Sequence, residues 1–170
     1  MSVHFILGGA RSGKSRLAEG LVLATGFAPV YIATGQAFDA EMEARIAEHQ
    51  ARRPSPWVTV DAPLDLADAI AREAGEDRAL LVDCLTLWLT NLLMAEADIE
   101  AEARRLCDVL RQPQPGFVAL VSNEVGLSIV PENALARRFR DEAGRLHQQI
   151  AALASKVTFV AAGLPLQLKG

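Results

Sequence analysis

The sequence predicts a single α/β domain, residues 1–170, with a mainly parallel sheet flanked by helices. Three observations lead there. Short apolar runs such as Val3-His4-Phe5-Ile6-Leu7 and Ala79-Leu80-Leu81-Val82-Asp83 read as strands covered on both faces. Segments with apolar residues three to four apart lie between them, as crossover helices require. Several of the runs end in glycine or small polar residues, which suits the sheet edge where α/β proteins hold ligands.

Composition agrees. At 170 residues, 51% of them hydrophobic and with a mean hydropathy of +0.18, the chain suits one well-buried domain. A chain near this length buries roughly 70% of its unfolded surface. The formal charge of −4 and pI near 5.4 argue against a nucleic-acid partner, which normally demands a basic excess. An anionic ligand must then be held locally. Cys84 and Cys107 stand outside metal-ligand spacing and read as buried, reduced thiols. The longest apolar stretch, residues 85–95, is interrupted by Thr86, Thr90 and Asn91 and is shorter than the about 20 residues of a membrane span. With no leader pattern at the N-terminus, the expected location is the cytoplasm.

In chain order, the first strand (residues 3–7) runs into a glycine-rich loop and a helix over residues 14–25 carrying Leu17, Leu21 and Ala24, with Gly26 as its C-cap. Residues 29–33 form the next strand, ending in Thr34-Gly35-Gln36. A helix over residues 39–52 starts at Asp39, with Met42, Ile46 and His49 recurring at helical spacing. After Arg52-Arg53-Pro54 come a strand at 57–61 and a helix at about 64–74. Residues 79–83 are a strand ending in Asp83, and residues 85–111 give one or two helices. A strand at 117–121 leads to the polar cluster Ser122-Asn123-Glu124. A long helix from about 131 to 155 follows, with Leu135, Phe139, Leu146, Ile150 and Leu153 as its core stripe. A last buried strand (157–162) and a short edge strand (164–169) complete the chain.

The loop carries the chemistry. Gly8-Gly9-Ala10-Arg11-Ser12-Gly13-Lys14-Ser15 fits G-x-x-x-x-G-K-S, in which unobstructed backbone N–H groups wrap phosphate oxygens. Lys14 adds a point charge for the outer phosphates. Ser15 offers a hydroxyl to Mg²⁺, and the helix directs its positive end at the anion. Asp83, at the end of an apolar strand downstream of such a loop, reads as the acidic partner of the metal. The expected architecture is therefore the P-loop nucleotide-hydrolase type, RecA-like, with right-handed crossovers. A Mg²⁺-nucleoside triphosphate site of this kind supports phosphoryl transfer, nucleotidyl transfer, hydrolysis or conformational switching, and the motif alone leaves these open.

A wider set of residues narrows the choice. The loop with Arg16, then Tyr31-Ile32-Ala33-Thr34, Glu41-Met42, Arg45-Ile46, His49, Arg53-Pro54, Trp57, Thr90-Asn91-Leu92-Leu93, Asn123-Glu124-Val125-Gly126, Ile129-Val130-Pro131-Glu132-Asn133 and Arg140-Asp141 span nearly the whole chain. Together they resemble the bifunctional adenosylcobinamide kinase/adenosylcobinamide-phosphate guanylyltransferase family of cobalamin synthesis. The resemblance implies two reactions on one corrinoid substrate. Adenosylcobinamide takes the γ-phosphoryl group of ATP or GTP. GTP then donates GMP to that phosphate through a covalent guanylyl-histidine, giving adenosylcobinamide-GDP and pyrophosphate.

By the same resemblance, His49 is the nucleophile and Lys14 serves both steps. Gly8, Gly9, Ala10, Arg11, Ser12, Gly13, Lys14 and Ser15 bind the triphosphate; Ala33, Thr34 and Gly35 approach the nucleotide; Gln50, Ala51, Arg52 and Arg53 contact it after His49; and Asp61 and Asp83 meet GTP or its metal, with Ser15 and Asp83 on Mg²⁺. A homotrimer is implied. A small-molecule kinase without guanylyl transfer and a nucleotide-controlled binding module are the competing readings. Two departures stand out: His147 occupies a position where the family pattern has Asn, and Leu127-Ser128 interrupts a stretch that often carries glycine. His147, flanked by Leu146 and two glutamines, reads as a surface or packing residue, and His4 lies within the first strand.

Overall fold

The structure is a computed structural model and describes residues 2–36, 55–112 and 116–170. Among these residues the strands are β1 (Ser2–Gly8), β2 (Ala28–Ala33), β3 (Val58–Asp61), β4 (Arg78–Asp83), β5 (Phe117–Asn123), β6 (Lys156–Ala161) and β7 (Leu164–Lys169). The helices are α1 (Lys14–Ala24), α2 (Leu66–Glu73), α3 (Leu85–Met94), α4 (Ile99–Arg111) and α5 (Ala134–Leu153). The helix expected over residues 39–52 lies outside the described residues.

All seven strands join one sheet in the order β3-β2-β4-β5-β1-β6-β7. Every ladder is parallel except β6 with β7. The final hairpin reverses because Ala162 and Gly163 both take positive φ, 52° and 77°, the geometry of a two-residue turn matched to strand twist.

Period-two alternation sorts the strand side chains between two apolar layers. Val3, Phe5 and Leu7 of β1 face a core built with α2, α3, α4 and α5. Ile6 on the opposite face joins Tyr31, Leu81 and Val121 beneath Ala18 and Val22 of α1. Both cysteines are buried and free.

The helical stretch 85–111 is two helices. Glu96 takes a positive φ of 52°, and the Asp98 side chain caps α4 by accepting from Ala101 N at 3.0 Å. The long helix starts later than its apolar pattern suggests because Asn133 caps it, accepting from Leu135 N (2.8 Å) and Ala136 N (3.1 Å). Its expected stripe needs one correction. Leu146 and Ile150 are buried and Phe139 and Leu153 pack against the core, but Leu135 is 54% exposed in the first turn. Ala143 and His147 share the buried face instead.

Candidate functional site

The phosphate loop leaves β1 at Gly8, a position that tolerates no side chain. A Cβ there would lie 2.5 Å from Ser12 Oγ and 2.6 Å from the Val160 carbonyl oxygen. Gly13 sits at φ 95°, where glycine escapes the Cβ clash of the left-handed region. The loop is braced on two sides: Glu124 N donates to the Gly8 carbonyl at 3.0 Å, and Gly163 N donates to the Ser12 carbonyl at 2.8 Å. The β6–β7 turn therefore supports the loop, a role that nothing in the spacing of residues 162–163 announces.

Inside this frame lie the polar groups of the loop. Helix α1 has no side-chain cap on its first N–H groups, as is also true of α2 and α3, whereas α4 and α5 are capped by Asp98 and Asn133. Ser12 Oγ is buried with no hydrogen-bond partner among the described residues. Lys14 is 7% exposed, and its Nζ donates to the Gly9 carbonyl at 2.9 Å across the loop. Burial lowers the Lys14 ammonium below its ordinary value, while Cys84 and Asp83 act in the opposite direction. Ser15 follows, half-buried at the first turn of α1.

Strand register places the predicted carboxylates along the same C-terminal edge. Ala33 pairs with Asp61 on one side and Asp83 on the other, and Asp83 pairs with Val121 of β5, the strand beside β1. Neighbouring strands lie about 4.8 Å apart, so Asp61 and Asp83 flank the end of β2 at roughly 10 Å from each other. Asp83 is half-buried and Asp61 exposed. Next to Asp83, the Cys84 thiol is pushed up to about 11, chiefly by burial and then by the Asp83 charge, so it stays protonated at neutral pH.

Polar side chains join the neighbouring strand ends. Asn123 Nδ2 donates to Thr86 Oγ1 at 2.8 Å, and Thr86 Oγ1 lies 3.1 Å from Cys84 Sγ. Thr34 is fully buried with its hydroxyl against the Cys84 backbone, which leaves Gly35 as the more accessible member of the predicted group Ala33, Thr34 and Gly35. His147 is a packing residue: its Nε2 lies 2.7 Å from Ser122 Oγ, and its ring is tilted against Phe5 with centroids 5.6 Å apart. Burial lowers His147 below the ordinary imidazole value, with Glu124 opposing. His4, 2.8 Å from Thr158 Oγ1, is lowered by burial and by Lys156.

His49, Gln50, Ala51, Arg52 and Arg53 lie outside the described residues. Within the described residues, Gly8, Lys14 and Ser15 share the loop at the end of β1, Lys14 feels the Asp83 charge from two strands away, and Asp61 stands at the far end of the edge. The contributions of Thr86 and Gly163 escaped sequence reasoning, since neither belongs to a motif.

A glycine loop between the first strand and the helix that follows it, with an acidic strand end in the same sheet, is the layout of the P-loop class of α/β proteins. The fold agrees with solved structures. The RadB recombinase superposes with a TM-score of 0.53 at 16% identity over 93% of this chain and 73% of that one. A structure from Pyrococcus horikoshii OT3 gives 0.57 at 6% identity over 99% and 86%. The first of these makes the architecture RecA-like.

The family model described as cobinamide kinase/cobinamide phosphate guanyltransferase matches residues 4–168, and the chain belongs to that family. It is an enzyme of cobalamin biosynthesis. The bifunctional adenosylcobalamin biosynthesis protein CobP of Pseudomonas aeruginosa is 56% identical over 97% of this chain and 96% of its own length. The bifunctional protein CobU of Salmonella typhimurium is 43% identical over 96% and 98%. The CobU protein of Escherichia coli is 41% identical over 96% and 98%. No helix among the described residues is long and apolar enough to cross a membrane.

Proposed function

We propose that this chain phosphorylates adenosylcobinamide with ATP or GTP and then transfers GMP from GTP to adenosylcobinamide phosphate, using one phosphate loop for both steps. The observation that carries the reading is a braced loop with an unpartnered Ser12 hydroxyl, inside a chain 56% identical to a bifunctional cobalamin-biosynthesis protein.

The loop amides of residues 8–15 and the first turn of α1 bind the triphosphate, and Ser12 Oγ supplies a hydrogen bond to it. Lys14 Nζ exchanges the Gly9 carbonyl for phosphate oxygens. Its partial desolvation makes that exchange favourable, because an anion compensates a buried ammonium better than a neutral carbonyl does. Ser15 Oγ and the Asp83 carboxylate form an oxygen donor pair suited to Mg²⁺, which prefers one or two protein oxygens together with phosphates. When bound, Mg²⁺ offsets charge on the transferring phosphoryl group. Gly35 and Asp61 line the nucleotide side of the edge.

In the first step the corrinoid hydroxyl attacks the γ-phosphorus and the nucleoside diphosphate leaves. In the second, a nitrogen of His49 attacks the α-phosphorus of GTP, forming an N–P bond and releasing pyrophosphate. The corrinoid phosphate oxygen then attacks the same phosphorus and frees His49. A neutral imidazole is nucleophilic near neutral pH, and two displacements replace one between two anions. Gln50, Ala51, Arg52 and Arg53 contact the guanylyl group. The protein acts in the cytoplasm as a homotrimer, as the family resemblance implies.

Incubation with adenosylcobinamide, ATP, GTP and Mg²⁺, followed by mass analysis, tests this directly. The expected products are the phosphate and the GDP-linked corrinoid. The phosphate alone would make the chain a small-molecule kinase; neither product would favour a nucleotide-controlled binding module.

A further inference from the structure

We propose that Thr34 and Asn91 are positioning residues that hold Asp83 and Gly35 for the metal-bound nucleotide, Asn91 by tying down the Thr34 and Pro63 carbonyls and Thr34 by clasping the Cys84 backbone with its hydroxyl. The inference rests on the nucleotide reading above and extends it to two side chains that touch no substrate.

The β2–β4 ladder has Ala33 opposite Asp83 as its last pair, and beyond it Thr34 N reaches the Asp83 carbonyl only at a long 3.5 Å. Side chains take over at that point. Thr34 Oγ1 accepts from Cys84 N at 2.8 Å and donates to the Cys84 carbonyl at 2.8 Å. A buried hydroxyl using both its proton and a lone pair on one residue fixes that residue's orientation. Cys84 directly follows Asp83, so the clasp sets the backbone from which the Asp83 carboxylate projects.

Thr34 is held in turn. Asn91, 3% exposed on α3, donates from Nδ2 to the Thr34 carbonyl at 2.7 Å and to the Pro63 carbonyl at 2.9 Å. Pro63 stands two residues after Asp61. One amide therefore joins the segments leaving β2 and β3, and one hydroxyl joins those leaving β2 and β4. These three segments carry Gly35, Asp61 and Asp83. Asn91 lies between Trp88, Leu89 and Leu92, all buried in the apolar layer, where a leucine would fill the space without the cost of burying an amide.

Equilibrium binding of a methylanthraniloyl-labelled GTP, measured by fluorescence with Mg²⁺ and again with EDTA, separates the roles. In the wild type Mg²⁺ tightens binding. In Thr34→Val that Mg²⁺-dependent gain is expected to fall by about 10–100-fold, the usual effect of losing a support behind a metal ligand. Binding in EDTA, which reports the phosphate loop separately, is expected to fall by less than the Mg²⁺-dependent gain does, and Thr34→Ser restores the gain. If Thr34→Val does not fold, Asn91→Ser, which keeps one donor and leaves room for water, must show the same selective loss to a smaller degree. An unchanged Mg²⁺-dependent gain in a folded variant, with only a lower melting temperature, overturns the proposal. A wild type that binds no nucleotide overturns the nucleotide reading itself and the clasp with it.

Discussion

The two halves of the sheet's C-terminal edge are built on opposite principles. At the end of β1 the loop keeps a polar group open: Ser12 Oγ has no hydrogen-bond partner among the described residues. At the ends of β2 and β4, by contrast, Thr34 and Asn91 commit their donors to neighbouring backbone. Open donors give a ligand something to bind, and closed ones keep carboxylates in place without reorganisation when it arrives. Lys14 bridges the halves electrostatically, since it feels the Asp83 charge from within the loop.

Breaking the open half has the largest consequence. Lys14→Ala is expected to lower both kinase and guanylyltransferase kcat by at least about 10²–10³-fold, the scale of removing one preorganised donor from a developing charge. Steady-state assays of each step check this, and retention of full kinase rate would contradict a shared cradle.

Two glycine substitutions sharpen the picture at smaller cost. Gly8→Ala forces a methyl against Ser12 and the Val160 carbonyl, so a loss of about 1–3 kcal/mol in chemical denaturation is expected, as for overpacking elsewhere. Gly9→Ala meets nothing within 4 Å and leaves stability unchanged within about 0.5 kcal/mol.

The smallest effect concerns His147, behind the edge. Its folded pKa is lowered by burial, so the unfolded chain holds more protons between that value and the ordinary one of about 6.5. Stability is therefore full above about pH 6.5 and falls with acidification through that window, by up to about 1.4 kcal/mol per pH unit for one such group. His147→Asn can still donate to Ser122 and has no proton to gain. Denaturation midpoints from pH 7.5 down to 5.5 should decline less steeply in the variant, with the remaining slope attributable in part to His4.

What the chain announces and what it hides follow from the same physics. The phosphate loop is legible because close backbone approach permits few residue types and fixes their order. Asp83 is legible only beside that loop. The clasp is not: Thr34 follows an apolar strand and Asn91 interrupts an apolar helix, and neither position shows which carbonyl its side chain meets. His147 was partly readable, since Ala143, Leu146, His147 and Ile150 follow the i, i+3, i+4, i+7 spacing of one buried face. Its flanking glutamines obscured that register. Leu135 misled in the other direction, as it continues the apolar pattern into a first turn that no layer of described residues covers.

In the proposed function one cradle presents the γ-phosphorus in one reaction and the α-phosphorus in the other, with His49 attacking the latter. Trapping with GTP labelled at the α-phosphate, in Mg²⁺ and without corrinoid, tests it most directly. The expected result is a protein-bound label that is acid-labile and alkali-resistant, as a phosphoramidate is, and that is absent from both His49→Ala and Lys14→Ala. A label that persists in His49→Ala would remove that histidine from the mechanism, and no label in the wild type would contradict guanylyl transfer through the protein.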